Sequence, residues 1–211
     1  DRTVMLCTLR HHHPQPPLNV QAMTRLSDLF ARHSTPSRQL AAPGPDDDQL
    51  HAMLEVAVHV PDHGRLSPWR FLRIRGEARA ALGNALVARL LEREPDAPTA
   101  KIDKERERFN HAPCIIAVIA TLTPNHKVPE SEQLQSGSCV CFALLQAAAA
   151  FGFGAQWLTG WAAYDPQILE WLGVGANERV LGFIHIGRVI TPQDDRARPD
   201  PSSLLTDWRP S

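Results

Sequence analysis

The segment CIIAVIA, residues 114–120, is the feature that most restricts the fold of this chain. It is a continuous apolar run directly after Pro113, and its length is typical of a strand that is buried on both faces. Such a strand needs neighbouring strands along its edges and helices over its faces. We therefore expect a central sheet enclosed by helices.

Hydrophobic periodicity predicts further elements on both sides of this strand. Three more strands are predicted, in WRFLRIR, in GFGAQWLTG and over residues 179–187. Helices are predicted from Met23 to about His33, after a capping-box pair at Asp46 and Gln49, over residues 77–94, 101–110 and 130–151, and after Asp165–Pro166. The highly charged helix 101–110 is interpreted as a solvated face. The predicted fold class is α+β, with a mixed central sheet flanked by helices.

Length and composition predict one folded domain, residues 23–211, preceded by a flexible N-terminal tail, residues 1–22. The tail contains HHHPQPP, a biased segment that is either a non-native extension or the product of an upstream start. Met23 is then the expected natural beginning. From Thr191 onwards the chain is rich in Pro, Arg and Asp, which predicts an extended arm.

The formal net charge of −1 limits the classes of partner. Without a basic excess the chain cannot displace many counterions from nucleic acid or anionic lipid, so small molecules are the expected partners. No apolar run approaches the roughly 20 residues that span a bilayer, and we expect a cytoplasmic protein. The four cysteines predict neither a disulfide framework nor a metal site, because Cys139 and Cys141 fall on different faces of a helix.

The glycine-rich segments do not form a nucleotide-binding motif. GFGAQW and GVGANE carry only the first two glycines of a dinucleotide fingerprint, and Gly152 is explained more simply as the residue that ends a helix. The sequence also lacks the GxSxG and HExxH motifs of hydrolases.

Basic and hydroxyl groups at the ends of elements remain as candidates for binding. Arg32 offers a planar guanidinium that can bind a phosphate through two hydrogen bonds, and Ser34 adds a hydroxyl donor two residues later. The residues alone also allow Arg32 to be a cation that compensates a helix dipole. His59 and His63 flank a Pro-Asp turn, where an imidazole is either a ligand or a structural group.

The segment PDHGRLSPWRFLRIRGEAR, residues 61–79, resembles the signature of the nitroreductase family, in particular its short YdjA-like branch. Other segments match in family order: RHS at residues 32–34 resembles the family's RRS, and NHKVPE, GFGAQWLTG and GFIHIG follow. The resemblance covers essentially residues 24–208. It implies a domain-exchanged α+β homodimer with one FMN in each of two interface pockets.

The resemblance also implies which positions contact the flavin. Positions 32–34 match the phosphate-contacting motif, positions 59 and 63 match contacts from the partner subunit, and positions 157–159 match contacts that follow a strand. The matching residues are Arg32, His33, Ser34, His59, His63, Trp157, Leu158 and Thr159. His33 and His59 replace arginines of the branch, and Gly64 replaces a typical lysine, so contacts there are expected to be weaker and, at the histidines, pH-dependent.

The activity implied by this resemblance is that of an FMN-dependent oxidoreductase with a ping-pong mechanism. Reducing equivalents would pass from NADH or NADPH to a small acceptor such as a nitroaromatic or a quinone. No catalytic side chain is expected, because the flavin supplies the chemistry and the protein positions it, with His63 or His59 providing positive charge near the ring. The alternative is a flavin-binding or flavin-modifying dimer, or a redox sensor, without nitro or quinone turnover.

Overall fold

The structure is a computed structural model that describes residues 32–194 and 196–210. The chain divides into two compact units, Asp1–Arg32 and His33–Ser211, and Arg32 is the only described residue of the first. The second unit contains all the elements described below. The helix predicted from Met23 and the boundary predicted after residue 22 lie outside the described residues.

A five-stranded sheet forms the centre of the second unit. Its strands are β1 (Leu40–Ala41), β2 (Trp69–Arg75), β3 (Cys114–Thr121), β4 (Gly154–Leu158) and β5 (Glu178–Val189). Strand β5 is central, because β3 pairs along one of its edges, β4 along the other, and β1 at its final residues. Strand β2 lies beyond β3. The four strands predicted from the sequence are confirmed, whereas the two-residue strand β1 was not predicted.

Every strand pairing in the described part of the chain is antiparallel, so the prediction of a mixed sheet is wrong for these strands. The prediction failed because strands separated by helices suggest parallel crossovers. Between β2 and β3 the chain forms two helices that pack against each other. This helical pair returns the chain to the end of the sheet that it left, and β3 therefore runs opposite to β2.

Five α-helices surround the sheet in the described part of the chain. They are α1 (Asp47–Ala57), α2 (Glu77–Arg93), α3 (Thr99–Glu107), α4 (Glu130–Ala150) and α5 (Pro166–Trp171). The predicted capping box at Asp46 and Gln49 is present, with hydrogen bonds in both directions. Asp165 is the predicted N-cap of α5, and Pro166 occupies the first helical position. The fold class α+β is confirmed.

Two hydrophobic cores lie on opposite faces of the sheet. Ile116 and Val118 of β3 join α1 and α4 in one core, whereas Ile115, Ala117 and Ile119 join α2 and α5 in the other. Both cores draw on the same strand, and residues 114–120 are all buried. This burial on both faces explains why β3 has no polar alternation.

Helix α3 corrects the interpretation of its charged sequence as a wholly solvated face. Glu105 is only 4% exposed, and its carboxylate accepts two hydrogen bonds from Arg108, at 2.7 and 2.6 Å. It also accepts one from the indole N–H of Trp161, at 3.1 Å. A buried carboxylate is tolerated when it is paired in this way, and composition alone does not reveal the pairing.

The chain after β5 agrees with the predicted extended arm. Most of the described residues of 190–194 and 196–210 are exposed, and the only regular element described in this segment is the short 3-10 helix Pro201–Ser203. Leu204, Leu205 and Trp208 are exposed by 72, 78 and 84%. The arm therefore carries large apolar side chains that the described residues leave mostly exposed.

Glu105→Gln should destabilise the fold by about 2 kcal/mol at neutral pH, because it removes the buried carboxylate that pairs with the mostly buried Arg108 charge. Burial is the largest single effect and raises the pKa of Glu105. Its hydrogen bonds and the nearby positive charges together lower the pKa by more, so that it lies below its usual value. The stabilisation is therefore complete above the unfolded-state pKa and is lost as the pH falls through the folded-state pKa.

Urea unfolding of wild type and Glu105→Gln at several pH values measures this effect. The difference in unfolding free energy should shrink as the solution is acidified below about pH 4. Asp103→Asn is the control, because Asp103 pairs with Arg106 on the same helix in an exposed position. Equal destabilisation by both substitutions would contradict the role given to burial.

Candidate functional site

The residues of the predicted phosphate motif precede a segment that is fixed to β4. Thr35 donates its backbone N–H to the carbonyl oxygen of Ala155 at 3.0 Å, and the backbone N–H of Ser37 donates to Oε1 of Gln156 at 2.6 Å. Arg32 and His33 are half-buried and Ser34 is exposed. The second unit thus holds His33 and Ser34 directly before an anchored residue, Thr35.

Gly154 permits this anchoring. A Cβ on Gly154 would lie 2.9 Å from Oγ1 of Thr35, 2.8 Å from Leu40 and 2.6 Å from Val189. These separations are shorter than ordinary carbon contacts, so only glycine lets the segment and β1 approach β4 this closely.

The two predicted histidines lie in the loop between α1 and β2. Nδ1 of His59 is 2.7 Å from the carbonyl oxygen of Glu55, and Nδ1 of His63 is 2.7 Å from Oε2 of Glu132, in the first turn of α4. Both partners are acceptors, so Nδ1 carries the proton in each ring. In the neutral form each imidazole then presents Nε2 as an acceptor, and both side chains are exposed to solvent.

The backbone conformation at position 64 explains why this chain has Gly64 where the YdjA-like branch typically has lysine. Its φ is 75°, in the left-handed region that glycine adopts without strain. The Asp62 carboxylate closes the same loop by accepting from the backbone N–H groups of Leu66 and Ser67, at 3.2 and 2.8 Å. The loop therefore has a fixed shape at this position and lacks the charge that lysine would add.

The amino-terminal turns of α4 bind three separate parts of the chain. Ser136 donates its hydroxyl to the carbonyl oxygen of Pro61 at 2.5 Å, which ties the histidine loop to the helix. The buried amide of Gln133 donates to the carbonyl oxygens of Thr123 and Val128, at 3.2 and 3.0 Å. Its oxygen accepts from the backbone N–H of Thr123 at 2.8 Å.

Trp157 is held at the end of β4 by its neighbours on β5. Its indole N–H donates to the carbonyl oxygen of Leu181 at 2.9 Å, and its ring covers Gly182, where a Cβ would overlap the indole. Leu181 in turn lies against Gly137 of α4, where a Cβ would overlap the leucine side chain. Trp157 is therefore connected to the same stretch of α4, residues 133–137, that anchors the histidine loop.

The remaining residues of the post-strand group lie directly beside Trp157. Leu158 pairs with Phe183 as the last residue of β4, and Thr159 follows; both are half-buried. Gly160, with a φ of 67°, then turns the chain towards Trp161. Nothing in the described hydrogen bonds joins this group directly to His59 or His63, so α4 supplies the link between them.

His185 lies behind this group, opposite Gln156 in the pairing of β4 with β5. It is 1% exposed, and its ring stacks on Phe109 with centroids 5.6 Å apart. Burial, assisted by the charges of His111 and Arg108, lowers the pKa of His185 to about 4. His185 is therefore neutral at pH 7 and adds no positive charge to the site.

Sequence reasoning missed the residues that support the site. Gln133, Ser136, Gly137 and Gly182 bind no ligand in the expected scheme and carry no motif of their own. A signal did exist for the first three, because polar or small residues occur at helical spacing on the buried side of α4. The described residues contain no group of three His, Cys, Asp or Glu side chains arranged to hold a metal ion.

Comparison with known proteins decides the family. The family model described as "Nitroreductase family" matches residues 29–188. The "Putative NAD(P)H nitroreductase YdjA" of Escherichia coli (strain K12) is 35% identical over 188 residues, which are 87% of this chain and 99% of that protein. The chain belongs to the nitroreductase family. This membership confirms the resemblance found in the sequence and the assignment to the oxidoreductases.

Solved structures confirm the nitroreductase fold. A nitroreductase-like family protein from Bacillus cereus aligns with a TM-score of 0.73 at 21% identity, covering 87% of this chain and 95% of its own. A nitroreductase crystallised in complex with FMN, from Desulfovibrio desulfuricans, aligns with a TM-score of 0.68 at 21% identity, covering 88 and 97%. No helix in the described part of this nitroreductase is long and apolar enough to cross a membrane.

Gly182→Ala should displace Trp157 and destabilise the fold by roughly 1–3 kcal/mol, because the new methyl group needs space that the indole fills. Near-ultraviolet circular dichroism and thermal melts measure the two effects together. Gly175→Ala is the matched control, since a Cβ there would make an ordinary contact of 3.6 Å with Glu178. An unchanged tryptophan spectrum in Gly182→Ala would contradict the packing described here.

Proposed function

We propose that this nitroreductase binds FMN and transfers reducing equivalents from NADH or NADPH to a small acceptor, such as a nitroaromatic or a quinone. The observation that carries the proposal is the match of the nitroreductase family model to residues 29–188, a range that includes every residue assigned to the flavin. The name of the Escherichia coli relative and the FMN complex of the Desulfovibrio relative support it as well.

The chemistry of residues 32–34 fits a phosphate group. Arg32 brings a guanidinium, His33 an imidazole and Ser34 a hydroxyl, and all three side chains can donate hydrogen bonds to phosphate oxygens. The sequence has no acidic residue from position 32 to position 45, so no carboxylate of this segment opposes a bound dianion. We assign these three residues to the FMN phosphate.

The other matched residues are assigned to the isoalloxazine ring. When bound, FMN would supply the two-electron redox chemistry between the nicotinamide and the acceptor. Trp157, Leu158 and Thr159 position the ring from the end of β4. His63 and His59 orient it from the partner subunit; the Glu132 carboxylate keeps the proton of His63 on Nδ1 and thereby fixes the direction of Nε2.

A homodimer completes the proposal. The exposed face of α4 carries Phe142, which is 49% exposed, and the C-terminal arm carries the exposed Leu204, Leu205 and Trp208. Large apolar side chains grouped on one helix and one arm are typical of a surface that another subunit covers. Interfaces of permanent dimers commonly bury more than about 2,000 Å². The cytoplasmic location and the single domain from residue 23 stay predictions.

The proposed activity is tested by loading the purified chain with FMN and following the oxidation of NADH and NADPH with a quinone or a nitroarene. Parallel lines in double-reciprocal plots are expected for a ping-pong mechanism. A chain that binds no flavin refutes the proposal. Tight FMN binding without turnover of any acceptor supports the flavin-binding or flavin-modifying alternative.

Arg32→Ala should weaken FMN binding about tenfold or more and leave hydride transfer in the flavin-loaded fraction nearly unchanged, because the guanidinium contacts the phosphate and not the reacting ring. Arg32→Lys should recover only part of the affinity, since an ammonium cannot form two parallel hydrogen bonds. FMN titration of the apo forms measures both. Arg38→Ala controls for the loss of a nearby exposed charge. Unchanged affinity with a lowered melting temperature would make Arg32 a structural cation only.

Phe142→Glu should shift the protein from dimer to monomer, because it places a charge in the proposed interface. Sedimentation velocity over a range of concentrations measures the change. Leu91→Glu is the control, since Leu91 is also an exposed apolar residue but lies on α2. A wild-type monomer that keeps full FMN affinity would refute the dimeric site.

A further inference from the structure

A cleft lies between the C-terminal end of α2 and the segment that leads into α5. Its volume is about 450 Å³, and its lining residues are Arg89, Arg93, Trp161, Tyr164, Asp165 and Pro166. None of these residues belongs to the flavin contacts assigned above. The cleft combines two guanidinium groups with two aromatic side chains, which is a combination that small-molecule sites use.

The carboxylate of the cleft, that of Asp165, already has hydrogen-bond partners within the chain. The Asp165 side chain is 4% exposed, accepts from the backbone N–H groups of Gln167 and Ile168, at 3.1 and 3.2 Å, and from Nε of Arg89 at 2.9 Å. Burial is the largest effect on the pKa of Asp165 and raises it, but these hydrogen bonds lower it more. Asp165 therefore stays ionised, and its function is to hold α5 and Arg89 in place.

Arg93 is the guanidinium that remains available to a ligand. Its contact with Asp165 is long, at 3.5 Å through Nη1, and no described residue accepts a hydrogen bond from its Nε or Nη2. Arg89, by contrast, uses Nε for Asp165 and Nη1 for Glu92, which is not among the lining residues. The Arg93 side chain is 55% exposed, so an anion can reach it from solvent.

The aromatic wall of the cleft is rigid on one side and open on the other. Trp161 is fixed because its indole N–H donates to the buried Glu105, and the Arg93 guanidinium carbon is 5.8 Å from the Trp161 ring centroid. Tyr164 is 69% exposed, so neighbouring side chains restrict its ring less. A flat molecule that enters here meets one preorganised aromatic surface and one adaptable one.

We propose that this cleft binds a small planar monocarboxylate that carries an aromatic ring. The carboxylate accepts two hydrogen bonds from Arg93, and the ring lies against Trp161 and Tyr164. Asp165 and Glu92 both pair with Arg89, so Arg93 is the guanidinium of the lining with donors left over, and its single charge matches a monoanion better than a phosphate dianion. The proposal does not depend on the flavin chemistry.

Benzoate is the probe for this site. Isothermal titration calorimetry of the full chain should show saturable binding of one benzoate per chain. Benzyl alcohol has the ring without the charge, and acetate and inorganic phosphate have charge without a ring, so all three should bind at least about tenfold more weakly. Equal binding of phosphate, or no saturation up to the solubility limit of benzoate, would refute the proposal.

Two variants locate the binding within the chain. Arg93→Gln should weaken benzoate binding about tenfold or more, because it removes the charged two-donor contact. Tyr164→Ala should weaken it several-fold, and its exposed position keeps the fold intact. Arg106→Gln, an exposed arginine on α3, is the control and should bind like wild type. Unchanged affinity in both Arg93→Gln and Tyr164→Ala, with unchanged melting temperatures, would place the benzoate elsewhere and overturn the proposal.

Discussion

The packing of α4 against β5 at Gly137 sets how closely the helix that anchors the histidine loop approaches the sheet. A larger residue at this position would displace the side chain of Leu181, whose backbone carbonyl oxygen holds the indole of Trp157. The adjacent Ser136 holds the histidine loop through Pro61. A shift of α4 away from the sheet would therefore move the histidine loop, whereas Trp157 is held by the backbone of β5. In the proposed dimer the histidines and Trp157 of one chain contact different flavins, and this packing fixes how the two sets of contacts are placed within each chain.

Burial of the sheet on both faces separates two kinds of chemistry. Trp157 packs against the core formed with α1 and α4, whereas Trp161, which binds the buried Glu105 and lines the cleft beside α5, packs against the opposite core. Each face has its own hydrophobic core, so side chains on one face can change without repacking the other. Strands β3 and β5 contribute buried residues to both cores, which explains the unbroken apolar run of β3.

The sequence predicted most elements because their signals are local. Apolar runs, the capping box at Asp46 and the N-cap at Asp165 depend on neighbouring residues, and all appear in the structure. Strand direction and the two-residue strand β1 depend on distant pairing, which no local pattern reports. The burial of Glu105 was missed for the same reason, since its partner Trp161 is 56 residues away. The residues assigned to the flavin were predicted from the family resemblance. Their support by Gln133 and Ser136 could not be predicted, because it depends on contacts between segments that are distant in the sequence.

The turn at Gly160 has a thermodynamic consequence. Thr159, assigned to the flavin, and Trp161, in the wall of the cleft, are separated by this one residue, and Trp161 is fixed to α3 through Glu105. Occupants of the two sites would share a short piece of backbone and could not adjust it independently. Linkage then requires reciprocity: whatever factor a carboxylate in the cleft imposes on flavin affinity, the flavin must impose on the affinity for that carboxylate.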